Sequence, residues 1–187
     1  YQWYSNTIAS NSGGTLLSGA TSSAYSPSSA TAGTLYYYVV VTNSPSCSVT
    51  STVSGAVTVN ALPTISSQPS SAAAPYCAGS TATALSVTAA AGSGSITKYE
   101  WYSNTASSTS GGTLVATNTS SSTTNTYTPS TAVAGTLYYY VVVTNSNGCT
   151  VTSTVSGAIT TSTAPTTANA GADQVICGTT TATLSAN

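Results

Sequence analysis

Residues 134–146 read AGTLYYYVVVTNS, and residues 32–44 read the same thirteen letters. A run of Tyr and Val closed by Thr-Asn-Ser reads as a β-strand entering a turn. Side chains alternate across a strand, so Tyr139, Val141 and Val143 share one face while Tyr138, Tyr140 and Val142 share the other. The first copy divides in the same way, Tyr37, Val39 and Val41 against Tyr36, Tyr38 and Val40. An identical run in two places also marks a duplicated unit.

The duplication continues on both sides of this run. WYSNT stands at 3–7 and 101–105, SGGTL at 12–16 and 110–114, and TSTVSGA at 50–56 and 152–158. The earlier matches are offset by 98 residues and the later ones by 102, so the second copy carries four extra residues near 118–124. A unit of about 100 residues is too long for a solenoid repeat and has the size of a small β-sandwich. The expected map is residues 1–60 as the C-terminal part of one domain, 61–162 as a complete domain and 163–187 as the start of a third. The joins, NALPTISSQPS and STAPTTANAG, are short and contain proline, which favours an extended array over a floppy one. The chain opens on YQWYSNT, which reads as the interior of a strand, so a fragment of a longer protein is expected.

Composition narrows the function. The charged residues are Lys98, Glu100 and Asp173, and histidine is absent. Acid–base catalysis needs a positioned titrating group and a Ser-His-Asp triad needs histidine, so no enzyme is expected. One basic residue cannot neutralise a run of phosphates, so no nucleic-acid partner is expected. No cofactor or metal site is expected either, since calcium needs clustered carboxylates and zinc needs closely spaced Cys or His. The longest apolar run, Leu35–Val41, is far short of the ~18–20 residues of a spanning helix, so no membrane insertion is expected here. Ser and Thr form roughly two fifths of the chain, yet the apolar share of 40% suffices for real cores.

Turn signals every eight to twelve residues place strands near 63–68, 81–89, 96–103, 123–128, 136–144 and 149–160, with another opening at GGTL. Ser146-Asn147-Gly148 reads as a hairpin turn whose glycine can take positive φ. The run Tyr139-x-Val141-x-Val143-x-Asn145 resembles the Tyr-x-Cys-x-Ala-x-Asn run of immunoglobulin-like domains, with valine at the cysteine position. That resemblance implies that Tyr139, Val141 and Val143 face inward with Trp101 against them, and that Trp3, Tyr37, Val39 and Val41 do the same in the first unit. The fold class expected is all-β, tandem immunoglobulin-like β-sandwich domains in an extended array.

On a wider scale, CAGSTATALSV at 77–87, KYEWYSNTASSTSGGTL at 98–114 and the stretch from Tyr127 to Thr161 resemble the immunoglobulin-like modules repeated in large surface and secreted proteins of Bacteroidota. The resemblance covers nearly all of the chain. It implies a tandem array on a large cell-surface adhesin or a stalk, exported by the type IX system and similar in part to gliding-motility adhesins. Its location would be extracellular or on the outer cell surface.

Two groups of candidate site residues follow. Cys47 and Cys149 sit just after the predicted hairpin turns of their units, while Cys77 precedes the strand near 81–89 and Cys177 precedes its counterpart in the third unit. In an immunoglobulin-like sandwich these positions lie at opposite ends, roughly 25 Å or more apart, whereas a disulfide needs Cα atoms within about 7 Å. Bridges between neighbouring domains, a bridge within one domain and free structural thiols all remain open. The second group is a tyrosine stripe: Tyr4, Tyr36 and Tyr38 in the first unit, Tyr102, Tyr138 and Tyr140 in the second. Exposed, it could bind glycans or a partner surface; otherwise the rings pack across strands on one another. Lys98 and Glu100, two apart on one strand, read as a surface ion pair, and Glu100 is Gln2 in the other unit. Asn118-Thr119-Ser120 matches a glycosylation sequon by chance more readily than by design.

The function expected is a stiff spacer in an extracellular adhesin or surface fibre. Its partners would be neighbouring repeats and, because few charges guard the strand edges, laterally associated copies. The alternatives are a glycan-binding module and an accessory array on a secreted hydrolase.

Overall fold

The computed structural model describes residues 1–44 and 47–163, together with 165, 177, 178, 181 and 183. The third unit expected at 163–187 lies outside the described residues apart from those few positions. Residues 1–60 hold β1 (Gln2–Asn6), β2 (Thr15–Leu16), β3 (Gly33–Thr42), β4 (Ser48–Thr50) and β5 (Val57–Val59). Residues 61–162 hold β6 (Thr64–Ser67), β7 (Ala74–Cys77), β8 (Leu85–Ala90), β9 (Ile96–Asn104), β10 (Thr113–Thr119), β11 (Thr124–Tyr127), β12 (Gly135–Asn145), β13 (Thr150–Thr152) and β14 (Ile159–Ser162).

β6–β14 pair only among themselves and form an immunoglobulin-like β-sandwich. One sheet runs β10-β9-β12-β14-β7, with β13 also on β12, and the other runs β11-β8-β6. The core lies between them. It takes Leu85, Val87 and Ala89 from β8, Ile96, Tyr99 and Trp101 from β9, Tyr139, Val141 and Val143 from β12, and Ile159 from β14. The alternation in the repeated run therefore sorts inner from outer face as expected.

Trp101 ties the two sheets together. It is 1% exposed, and its indole N–H donates to Asn125 Oδ1 on β11 of the opposite sheet at 2.8 Å. Tyr127 stacks on Trp101 at 5.7 Å and tilts onto Tyr139 at 5.5 Å, so three rings span the core. Such rings add contact energy beyond the area they bury.

Three elements differ from the expected strands. The strand placed near 63–68 is followed by a second, β7, which lies parallel to β14 in the other sheet. The chain changes sheets through tight backbone contacts: Gly157 N–H donates to Ser70 O at 2.9 Å and Ala74 N–H to Ala158 O at 2.8 Å. A Cβ on Gly157 would stand 2.3 Å from Ala72 O, so the crossing requires glycine there. The strand placed near 81–89 is shorter at its start, where residues 78–84 instead turn away from Cys77.

The strand expected over 149–160 breaks into β13 and β14. Between them Ser153 and Ser156 stand against β12 with their side chains. Ser153 Oγ accepts the Val141 N–H at 3.0 Å and Ser156 Oγ accepts the Tyr139 N–H at 2.9 Å. The two serine N–H groups donate back to Val141 O and Tyr139 O at 2.9 and 2.8 Å. A hydroxyl thus replaces the carbonyl of a regular ladder, and the strand can bow without leaving β12 unsatisfied. Ser51 and Ser54 do the same for Val39 and Tyr37. This is the physical content of the repeated TSTVSGA.

β1–β5 form one sheet in matching register, Trp3 opposite Val39 as Trp101 is opposite Val141. Among the described residues no second sheet covers it. Tyr37 is buried, but Trp3, Val39 and Val41, expected inside, are half-buried. Residues 22–25, the counterpart of β11, form no strand, because β11 is held by β8 and the first sheet has no such neighbour among the described residues. The Trp3 indole donates to Ser22 O at 2.9 Å instead.

Replacing Ser156 by alanine leaves the buried Tyr139 N–H without its acceptor. Urea unfolding of S156A should show a loss of about 1–3 kcal/mol, and S153A a similar one.

Candidate functional site

On the outer face, Tyr140 lies directly opposite Tyr102, and Tyr38 opposite Tyr4. The rings stack at 5.1 Å with 5° between planes in one unit, and at 5.0 Å and 4° in the other. Of the two readings of the stripe, the rings do pack across strands on one another, and the stripe is closed at its centre. Tyr38 and Tyr140 are each only 5% exposed, while Tyr4, Tyr36, Tyr102 and Tyr138 are half-buried. The reason is the turn before β10, which folds over the ring. A Cβ on Gly112 would stand 2.8 Å from Tyr140 Cε1, and in the first unit the Gly14 N–H donates to Tyr38 Oη at 3.2 Å. The central ring therefore has a tyrosine on one side and a glycine turn on the other, so a sugar cannot stack on it.

Asn104 shapes that turn. Its Nδ2 donates to Ser108 O and Ser110 O at 3.2 and 2.9 Å, and its Oδ1 accepts the Ala106 N–H at 3.1 Å. Asn6 repeats the pattern with Ser10, Ser12 and Ile8. WYSNT and SGGTL are thus one device, an amide-organised loop that covers the tyrosine pair.

A second amide enters the sequence reading only as the last position of the repeated run, with no role given to it. Asn145, at the end of β12, is 2% exposed. Its Oδ1 accepts the N–H groups of Asn147 and Cys149 at 3.1 and 3.0 Å. Its Nδ2 donates to Ala91 O at 2.9 Å and to Ala61 O at 3.3 Å. The Ala61 N–H donates to Ser93 Oγ at 2.9 Å, and Gly92 lies so close to Leu62 O that a Cβ would stand 2.1 Å away. Gly148 takes φ +77°, as the hairpin reading requires. Asn145 therefore fastens the turn, the β8–β9 loop and the join from the first unit to one another. The signal was present as the asparagine closing both copies of the run, but its partners are remote in sequence.

The cysteines lie at the two ends of the sandwich. Cys77 ends β7 beside Ser162, and Cys149 faces Asn145 at the far end of β12. Ten residues of β12 separate the Gly135–Thr161 pair from Asn145, about 33 Å at ~3.3 Å each. Cys77, Cys149 and Cys47 are thiols; Cys47 and Cys77 are exposed and Cys149 is half-buried. Cys177 is also exposed.

Little else has the character of a reactive site. Lys98 Nζ and Glu100 Oε2 meet at 3.0 Å at the surface, a pair worth under about 1 kcal/mol. A hollow of about 290 Å³ lies where β12 starts, over Leu137, Tyr139 and Ile159, and one of about 280 Å³ lies at the same place over Leu35, Tyr37 and Val57. Tyrosine is the one titratable residue in either lining. Among the described residues every buried side-chain nitrogen and oxygen has a hydrogen-bond partner. Burial, with Tyr127 adding to it, pushes the Tyr139 phenol up to about 12, and burial raises Tyr37, Tyr99 and Tyr127 in the same sense. Hydrogen bonding from Thr83, from its side chain foremost and then from its backbone N–H to Tyr76 Oη, lowers the Tyr76 phenol.

No family model and no curated protein matches the sequence. Among solved structures, the chain is similar to the fibronectin(III)-like modules of CbhA from Clostridium thermocellum, at 18% identity over 87% of this chain and 78% of that one, with a TM-score of 0.40. A likeness of that degree assigns no activity.

Two outcomes follow. Gly112→Ala should displace Tyr140 and cost about 1–3 kcal/mol in urea unfolding, as overpacking does. The raised phenols favour the neutral form, so their stabilisation is complete below the ordinary pKa near 10 and is lost as pH climbs through the folded value of about 12. Tyrosinate absorbance should therefore rise together with loss of fold between roughly pH 10 and 12, and Tyr139→Phe should move that transition to higher pH.

Proposed function

We propose that the chain is a stiff structural spacer, a segment of a tandem β-sandwich array in an extracellular protein. One observation carries the reading. Val59 is still in the first sheet, paired with Gly33, and Ala61 is already bonded to Ser93 and Asn145 of the second unit. Asn60 is the single residue between two anchored ones, too short a join for free swivelling. The repeated motifs support the same reading, because each has a structural task within its own unit. With strands of about eleven residues, each unit would add about 40 Å of reach. The finer assignment, a stalk or adhesin of the Bacteroidota surface type exported by a type IX system, rests on the resemblance in sequence.

A second role, lateral association into fibres, is favoured by β10. This seven-residue strand sits at a sheet edge, is uncharged, and exposes Leu114 and Val115. Uncharged open edges invite pairing with another copy, although the register shift between Leu114 and Ala116 blunts this one. Glycan binding has less support, since the central tyrosines are covered.

Small-angle scattering of the 187-residue chain tests the spacer. The expected profile is a rod of fixed length. Asn145→Ala frees the Ala61 carbonyl and should broaden the distance distribution, and inserting Gly-Ser-Gly-Ser after Asn60 should broaden it further. A wild-type profile as broad as that of the insertion variant would refute the stiff join.

A further inference from the structure

We infer that consecutive repeats are stapled across their joins by a disulfide, between the cysteine ending β7 in one repeat and the cysteine after the β12 turn in the next. The inference rests on the reading of residues 1–162 as consecutive repeats of one array.

A bridge within one repeat is excluded by topology. The parallel pairing of β7 with β14 puts Cys77 beside Ser162, at the end from which the chain leaves the repeat. The Ala78 N–H, donated to Ser162 O at 2.8 Å, fixes that position. Cys149 lies at the entry end, about 33 Å away along β12, whereas a disulfide needs Cα atoms within about 7 Å.

The same contacts bring the two kinds of cysteine together across a join. The repeat offset of 102 makes Asn60 the counterpart of Ser162. A Cys77-type residue therefore stands one strand spacing, about 4.8 Å, from the last residue of its repeat. One peptide step further, at Ala61, the chain meets Asn145 Nδ2. Asn145 in turn brackets Cys149: its Oδ1 accepts the Cys149 N–H at 3.0 Å and its own N–H donates to Cys149 O at 3.0 Å. The exit cysteine is thus one contact from the join, and the next entry cysteine reaches the adjacent residue of the join through Asn145.

The arrangement recurs. Cys47 holds the place of Cys149 in the first repeat, its carbonyl accepting the Asn43 N–H at 3.0 Å. Cys177 precedes Gly178 with φ +78°, much as Cys77 precedes the turn at Gly79 with φ +82°. Residues 61–162 thus carry one cysteine of each kind, the first unit repeats the entry position with Cys47, and the third repeats the exit position with Cys177. Cys77 is exposed and Cys149 half-buried, so both are reachable by an oxidant.

The chemistry is thiol–disulfide exchange. The thiolate of one cysteine attacks an oxidant of the disulfide class, forming a mixed disulfide. The second cysteine displaces it, the S–S bond closes, and the oxidant leaves as two thiols carrying the two electrons and two protons.

The test uses two copies of 61–162 joined head to tail, Ser162 to Ala61. All strand partners of β6–β14 and their whole core lie within those residues, so each copy folds by itself. After treatment with glutathione disulfide, half of the four thiols should resist alkylation, and proteolysis should yield a Cys77–Cys149 linked peptide. Cys77→Ser in the first copy, or Cys149→Ser in the second, should abolish the link. The same changes in the other copy should leave it intact. A link that depends on both cysteines of one copy, or that joins separate molecules, overturns the inference. Four alkylated thiols overturn it as well. If scattering then still reports a rod, the spacer reading stands without the staple; a flexible pair removes both.

Discussion

A sandwich with almost no charge must satisfy its buried backbone using hydroxyls and carboxamides, and that constraint organises the molecule. An unpaired N–H on β12 would cost as much as a lost hydrogen bond. Ser153 and Ser156 meet that demand where the last strand bows away, and Asn125 meets the demand of the buried indole. Asn104 and Asn145 do the same for the loops at either end of β9 and β12. These groups are short, so each holds its partner close to its own backbone. Neutral groups also carry a smaller desolvation cost than ions would. The Ser- and Thr-rich composition is thus partly internal architecture and not only a solubilising surface.

The same economy explains how the join at residues 59–61 is held. Asn145 binds backbone from three segments that are far apart in sequence, one of them the incoming chain. A longer charged side chain in that place would need counter-ions and would tolerate more movement. The carboxamide offers two donors and an acceptor in one plane, and it is buried. The position of the incoming chain is therefore decided by packing inside the downstream repeat, not by the stiffness of the linker residues themselves. Proline at 63 then limits the backbone just beyond the clamp.

Much of this was legible in the sequence. The period-two pattern of the YYYVVV run fixed the inner and outer faces of β12. What was not legible depended on contacts between remote residues. β7 forms because β14 offers a free edge, and its own residues, Ala-Pro-Tyr-Cys, carry no strand pattern. Tyr140 was assigned to the outer face correctly, but its burial comes from a glycine turn nearly thirty residues away. The break in the last strand was written as Ser-x-x-Ser, which looks like surface composition until the opposing N–H groups are placed.

The division between the two units sharpens that lesson. They share register, stacked tyrosines, serine bridges and loop amides, yet residues 22–25 form no strand while 124–127 do. The local sequences are alike, Ala-Tyr-Ser-Pro against Thr-Tyr-Thr-Pro. The difference lies in the presence of β8 beside one and not the other. Motifs that act within one sheet are therefore autonomous in this fold, and elements of the opposite sheet are conditional on a neighbour. The clamp on the incoming chain belongs to neither sheet alone: Asn145, at the end of β12, closes on Ala61, two residues after Val59 of the first sheet.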